Sequence, residues 1–220
     1  FMNQFVNAGL VHRNVFSISY KPGNSFYTKI TFGGEDLTMK QFGTPIIYHK
    51  IRGAYMKEAT WALDMKAYGM ANQKVKKNSA ANLYSAFIQF DTQVSGFHVG
   101  WNSKSNVEFF LKQATGLKWD LYKPDEYKKC TFYQWTYYPD MYLDIGGHRY
   151  WISRDLLFTR KGEWCKLNIY TRAGYNQWVA GLSWFEQYYT VFDNDKKTIG
   201  LAPARLPPRF AQLPHHQLLN

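Results

Sequence analysis

Cysteine is scarce in this chain of 220 residues, with only Cys130 and Cys165 present. Two are too few for a disulfide-stapled scaffold, and too sparse for a structural zinc site, which needs four ligands at short spacings. They form either one disulfide or two free thiols. Glycine and proline, at 16 and 8 residues, are too few and too irregular for collagen or a low-complexity linker. No window approaches the run of about 18 apolar residues that a membrane-spanning helix requires, so no transmembrane segment is expected. Asn-x-Ser/Thr does not occur. The chain opens on Phe1 without a charged segment and following apolar core, so any targeting signal is expected to lie outside it. Acidic residues are also in deficit: 16 against 27 Lys and Arg give a net charge of +11. Such a balance suits nucleic acid, an anionic membrane surface, an acidic partner or simply a solvated basic surface. Rings, in contrast, are abundant. Phe, Tyr and Trp make up 19% of the chain, which excludes a disordered protein, because disordered chains lack apolar surface to offset their ordering entropy.

Along the chain the hydrophobic period is mostly two. Residues 1–10 carry Phe1, Met2, Phe5, Val6 and Ala8 ahead of Gly9, a short amphipathic helix with a glycine stop. Residues 15–20 and 26–32 read as a hairpin around Lys21-Pro22-Gly23-Asn24. Further strands are expected at 45–49, 61–65 and 83–90, the last leading into Asp91, and a second helix at 106–115 before Gly116. Residues 141–145 and 150–152 form a hairpin around Gly146-Gly147. Then come a strand at 178–181, a short helix at 184–188, and strands at 190–193 and 199–202. Many short strands with frequent turns indicate an all-β sandwich or barrel. The stretch 206–220, with Pro207, Pro208 and Pro214, reads as an exposed Pro-rich C-terminal tail.

The most specific signal is near the end: Trp178-Val179-Ala180-Gly181, Phe185, Tyr188-Tyr189-Thr190-Val191-Phe192-Asp193 and Ile199-Gly200-Leu201-Ala202-Pro203-Ala204. This succession resembles the C-terminal signature of pepsin-like aspartic proteases. Upstream, and in the matching order, Asp91-Thr92-Gln93-Val94-Ser95 falls where that family has its second Asp-Thr-Gly-Thr-Ser loop. Ile30 to Asp36 resembles its "FGG-x-D" strand end, and Gly9-Leu10-Val11 with Val15-Phe16-Ser17 its linker and first C-lobe strand. The resemblance covers residues 1–205 and finds no counterpart of the N-terminal lobe. It implies a single all-β pepsin-like C-terminal lobe with one or two short helices. It also implies a Cys130–Cys165 disulfide, and with it a secretory, vacuolar or extracellular location; without the bridge, an organelle-bound assembly is expected.

The family's chemistry uses two carboxylates that share one proton around a water, one acting as base and the other as acid. The resemblance supplies only Asp91 for this role. It also shows a damaged loop: Gln93 stands where glycine lets two catalytic loops approach, and Val94 replaces a hydroxyl residue. Leu182 stands where the family often has Asp, while Thr92 and Ser95 are kept. Asp91 is therefore expected to be a relic rather than a working base. No Gly-rich phosphate loop, Ser/His/Asp pattern or Cys/His cluster occurs, so neither cofactor nor metal is expected. His215-His216 and Lys74 to Lys77 read as solvated surface, and Trp135 to Tyr138 as packing, with no nucleic acid expected. Aromatic segments around Trp135 and Trp184 are expected to need a partner's cover. Two functions follow: a non-catalytic binding subunit whose protein partners cover the inter-lobe face, or the heavy chain of an aspartic endopeptidase. A homodimer with two copies of Asp91 is a third.

Overall fold

A computed structural model describes residues 2–53, 61–72, 77–171 and 174–205. The sequence elements at 206–220 and Lys74–Lys76, His215 and His216 included, lie outside the described residues. The described chain divides into two compact units, one formed by residues up to 63 together with 184–205, the other by the described residues between 64 and 183.

The first unit is an antiparallel sheet of five strands. These are β1 (Val15–Ser19), β2 (Lys29–Phe32), β3 (Ile47–Lys50), β14 (Tyr188–Asp193) and β15 (Thr198–Pro203). Their order across the sheet is β2-β1-β14-β15-β3. Every residue of β14 is buried. Its tyrosine-rich sequence shows no polar alternation because both faces are covered. On one face Tyr189 and Val191 join Val15, Met39 and Ala204 in a core cluster. On the other, Phe192 stacks on Phe16 at 4.7 Å, with Trp61 edge-on to both rings. Helix α1 (Met2–Asn7) sets Phe5 against Phe32 at 5.5 Å. Strand β2 begins later than the pattern indicates. The Asn24 side chain accepts the N–H groups of Phe26 and Tyr27, which holds them in a turn.

The second unit holds a seven-stranded sheet and a three-stranded one. The large sheet runs β12 (Ile169–Tyr170), β6 (Phe97–His98), β13 (Gln177–Ala180), β5 (Lys77–Phe90), β4 (Ala62–Asn72), β8 (Asp140–Ile145) and β9 (His148–Ile152). The small sheet runs β10 (Phe158–Lys161), β11 (Trp164–Leu167) and β7 (Lys128–Lys129). β8 and β9 form the hairpin expected from Gly146-Gly147, both glycines having positive φ, as a tight two-residue turn requires. Helix α2 (Lys104–Thr115) buries Val107, Phe110 and Leu111, and Gly116 ends it in the left-handed conformation. Tyr68 packs between Phe110 and Trp178, with centroids 5.9 and 4.8 Å away. Cys130 and Cys165 are bonded, with Cα atoms 5.8 Å apart, and both are fully buried.

The fold is mostly β, as expected, but one or two helices was too low a count: five α-helices lie among the described residues. Two are single turns made by local caps rather than by hydrophobic period. Thr131 caps α3 (Phe132–Trp135) in a capping box with Gln134, and Ser153 caps α4 (Arg154–Leu157). Helix α5 (Leu182–Gln187) starts two residues earlier than expected. The expectation that Trp184 needs a partner's cover is corrected, since it is fully buried and stacked on Tyr188 at 4.6 Å. Trp135 is half-buried, and its neighbour Tyr138 is buried against Phe158. No described helix is long and apolar enough to cross a membrane.

Candidate active-site loop

The strand order around Asp91 dictates the geometry of its loop. β5 and β13 are parallel, and β6 is antiparallel to β13 on its other side. The chain therefore leaves β5, crosses the end of β13 and returns along its far edge. Residues 91–96 make that crossing, so they lie over the point where β13 ends at Ala180 and Gly181 follows. Four hydrogen bonds bind the crossing to that end. Asp91 N–H donates to the Ala180 carbonyl at 3.0 Å and Gly181 N–H to Gly96 at 3.0 Å. Leu182 N–H donates to Val94 at 2.7 Å and Ser183 N–H to Ser95 at 2.9 Å. The Ser183 hydroxyl adds a second donor to the Ser95 carbonyl at 2.9 Å.

So close an approach leaves no room for side chains. A Cβ on Gly181 would collide with the carbonyl oxygens of Val94 and Gly96, and lie 2.7 Å from the Val94 side chain. A Cβ on Gly96 would collide with the Asn168 carbonyl and lie 2.9 Å from the Tyr170 ring. Neither glycine has a positive φ, so the demand is steric rather than conformational. Gly96 and Ser183 were missed from the sequence. The Ser95-Gly96 dipeptide right after the Asp-Thr element was the available signal for the first; nothing local marks the second.

Asp91 is half-buried, and its Oδ1 accepts the Gln93 N–H at 2.8 Å in a tight turn within the loop. Thr92, Gln93 and Ser95 are exposed and Val94 is half-buried. The structure thus brings Asp91, Thr92, Gln93 and Ser95 into one loop and seats it on Gly181. Among the described residues, the Gln93 N–H is the single hydrogen-bond donor to the Asp91 carboxylate, and no second carboxylate shares a bond with it. No described group of three His, Cys, Asp or Glu side chains could hold a metal ion.

Other carboxyl groups have shifted acidity. Within the second unit, burial raises Asp140 above the usual carboxylate range, against the opposing pull of Arg154, whose N–H donates to its Oδ1 at 2.9 Å. In the first unit, Glu35 is partly buried, which works to raise it. Hydrogen bonds from Arg13 at 3.1 Å and Tyr48 at 2.9 Å outweigh this and hold it below the ordinary value. Burial also raises Glu186, against Lys21.

A mostly β fold that seats the Asp91 loop on Gly181 agrees with the aspartic-protease resemblance of the sequence. The model of one family, eukaryotic aspartyl protease, matches residues 1–204, and the chain belongs to that family. Among curated proteins no relative matches it.

Proposed function

We propose that this protein is a non-catalytic binding subunit built on a degenerate aspartic-protease lobe and working within a larger assembly. The observation that carries the reading is residue 93. In the family pattern this position is glycine, so that a partner loop can approach. Here it is Gln93, with an exposed side chain; its backbone N–H donates to the Asp91 carboxylate as that of glycine would. A long amide at this position would obstruct the approach of a second aspartate to about 3 Å, the separation at which two carboxylates share a proton. Val94 and Leu182 remove two further polar positions of the pattern. Without the shared proton, Asp91 has no acid beside it to protonate a leaving amine. Exposed apolar side chains, Phe42 and Phe26 among them, provide surface for protein partners.

One observation favours the endopeptidase chain as a second reading. The frame beneath the loop, with Gly181, Gly96 and four backbone hydrogen bonds, holds Asp91 in a defined place. Hydrolysis of a denatured protein substrate between pH 3 and 6, by the chain together with the chains that accompany it in native material, separates the two. The scaffold reading expects the full chain and its Asp91→Asn variant to show the same background. Hydrolysis lost in Asp91→Asn overturns it in favour of the protease.

A further inference from the structure

From the geometry at the start of helix α2 we infer a binding site for a neutral oligosaccharide, built on Trp101 and Tyr122 in the second unit. This goes beyond the function proposed above and does not depend on Asp91. Two large rings stand in solvent here without any role in the core: Trp101 is 58% exposed and Tyr122 51%. Their centroids are 6.1 Å apart and their planes cross at 66°, so they form two walls of one open corner.

Hydrogen bonds fix the backbone that carries both rings. Trp101 N–H donates to the Gly174 carbonyl and Asn102 N–H to Tyr175, at 3.4 and 3.2 Å. This approach requires Gly100, where a Cβ would lie 2.7 Å from the Tyr175 carbonyl oxygen. On the other wall, Leu121 N–H donates to Glu108 at 3.0 Å and Tyr122 N–H to Asp120 at 2.9 Å. A backbone fixed in advance need not be ordered when a ligand stacks on the rings it carries.

The polar groups beside the rings select the ligand. Asn102 Nδ2 donates to Asn176 Oδ1, and the Ser103 hydroxyl donates to Asn102 Oδ1. The Asn176 amino group has no acceptor among the described residues, which leaves a donor one position along from Tyr175. Amides that both donate and accept match the vicinal hydroxyls of a sugar, while the C–H face of a pyranose lies flat on an indole. A nucleic acid suits the corner less well. Lys104 lies over the Tyr122 ring at 4.6 Å and is paired with Glu108 at 2.7 Å, so this cation is already compensated and is not held out for phosphate.

Calorimetric titration of the full chain with cellohexaose, laminarihexaose and chitohexaose tests the site. At least one should bind with a Kd on the order of 0.1–1 mM. Trp101→Ala should weaken it by about tenfold or more, as expected for loss of an aromatic anchor, with no change in the unfolding midpoint. Trp164→Ala, which removes a 51% exposed tryptophan on β11, should leave the affinity unchanged. The inference is overturned if none of the three sugars binds, or if Trp101→Ala binds as tightly as the parent. It is equally overturned if an oligo-dT strand binds through Trp101 and the sugars do not.

Discussion

Replacing Gly181 by alanine should break the seat of the Asp91 loop. The new methyl group would fall on the carbonyl oxygens of Val94 and Gly96. Those two carbonyls accept the N–H groups of Leu182 and Gly181, so moving them away to relieve the clash lengthens both bonds. Two hydrogen bonds at about 1 kcal/mol each give about 2 kcal/mol. Overpacking of a closely fitted site adds about 1–3 kcal/mol, for a total of about 3–5 kcal/mol. For a chain of this size that corresponds to a fall in Tm of roughly 6–20 °C. Urea unfolding followed by circular dichroism measures the loss directly, and amide exchange at Leu182 localises it. Gly34→Ala is the matched control, because its Cβ meets nothing within 4 Å and its φ is not positive. A Gly181→Ala loss below about 1 kcal/mol, no greater than that of an ordinary point substitution, would refute the steric reasoning.

Reduction of the Cys130–Cys165 bridge, or its replacement by two serines, should cost about 4 kcal/mol in the chain-entropy account of a loop this long; equal unfolding midpoints with and without reductant would contradict this. Asp140 has a folded-state pKa raised by burial, so the native state holds its proton more tightly than the unfolded chain. Its contribution is therefore favourable at low pH and is lost as pH rises from the ordinary carboxylate range through the raised value. Asp140→Asn keeps an acceptor for the Arg154 N–H and removes the charge. It should match or exceed the parent in stability at pH 7, with the advantage shrinking towards pH 4; a large loss at pH 7 would show that the ionised carboxylate is needed.

Much of the β framework is legible along the chain because it is local. Gly146-Gly147 between alternating runs specifies the β8–β9 hairpin, and the apolar residues of 106–115 specify the buried stripe of α2. The disulfide came from resemblance rather than from spacing, since two cysteines 35 positions apart are equally compatible with free thiols until the fold brings their Cα atoms to 5.8 Å. The small helices α3 and α4 escaped because a single capped turn has too few residues to show a period. Burial of Trp184 also escaped, since composition does not say which ring finds a neighbour within its own chain.

Asp91 itself could be found by motif, as could its altered neighbours Gln93 and Val94, because residue identity is what a motif records. The demand for glycine at 96 and 181 could not be, because these positions lie 85 residues apart and meet only where the 91–96 crossing passes over the end of β13. The same holds for Trp101 and Tyr122, two unremarked aromatics in the sequence until the backbone of 174–175 and the Glu108 carboxylate turn them into one corner. Residue types and local periods set the elements and the chemistry available to them. Only the packing of strands distant in sequence decided which backbones touch, and therefore where a side chain is forbidden and where a ring is left facing water.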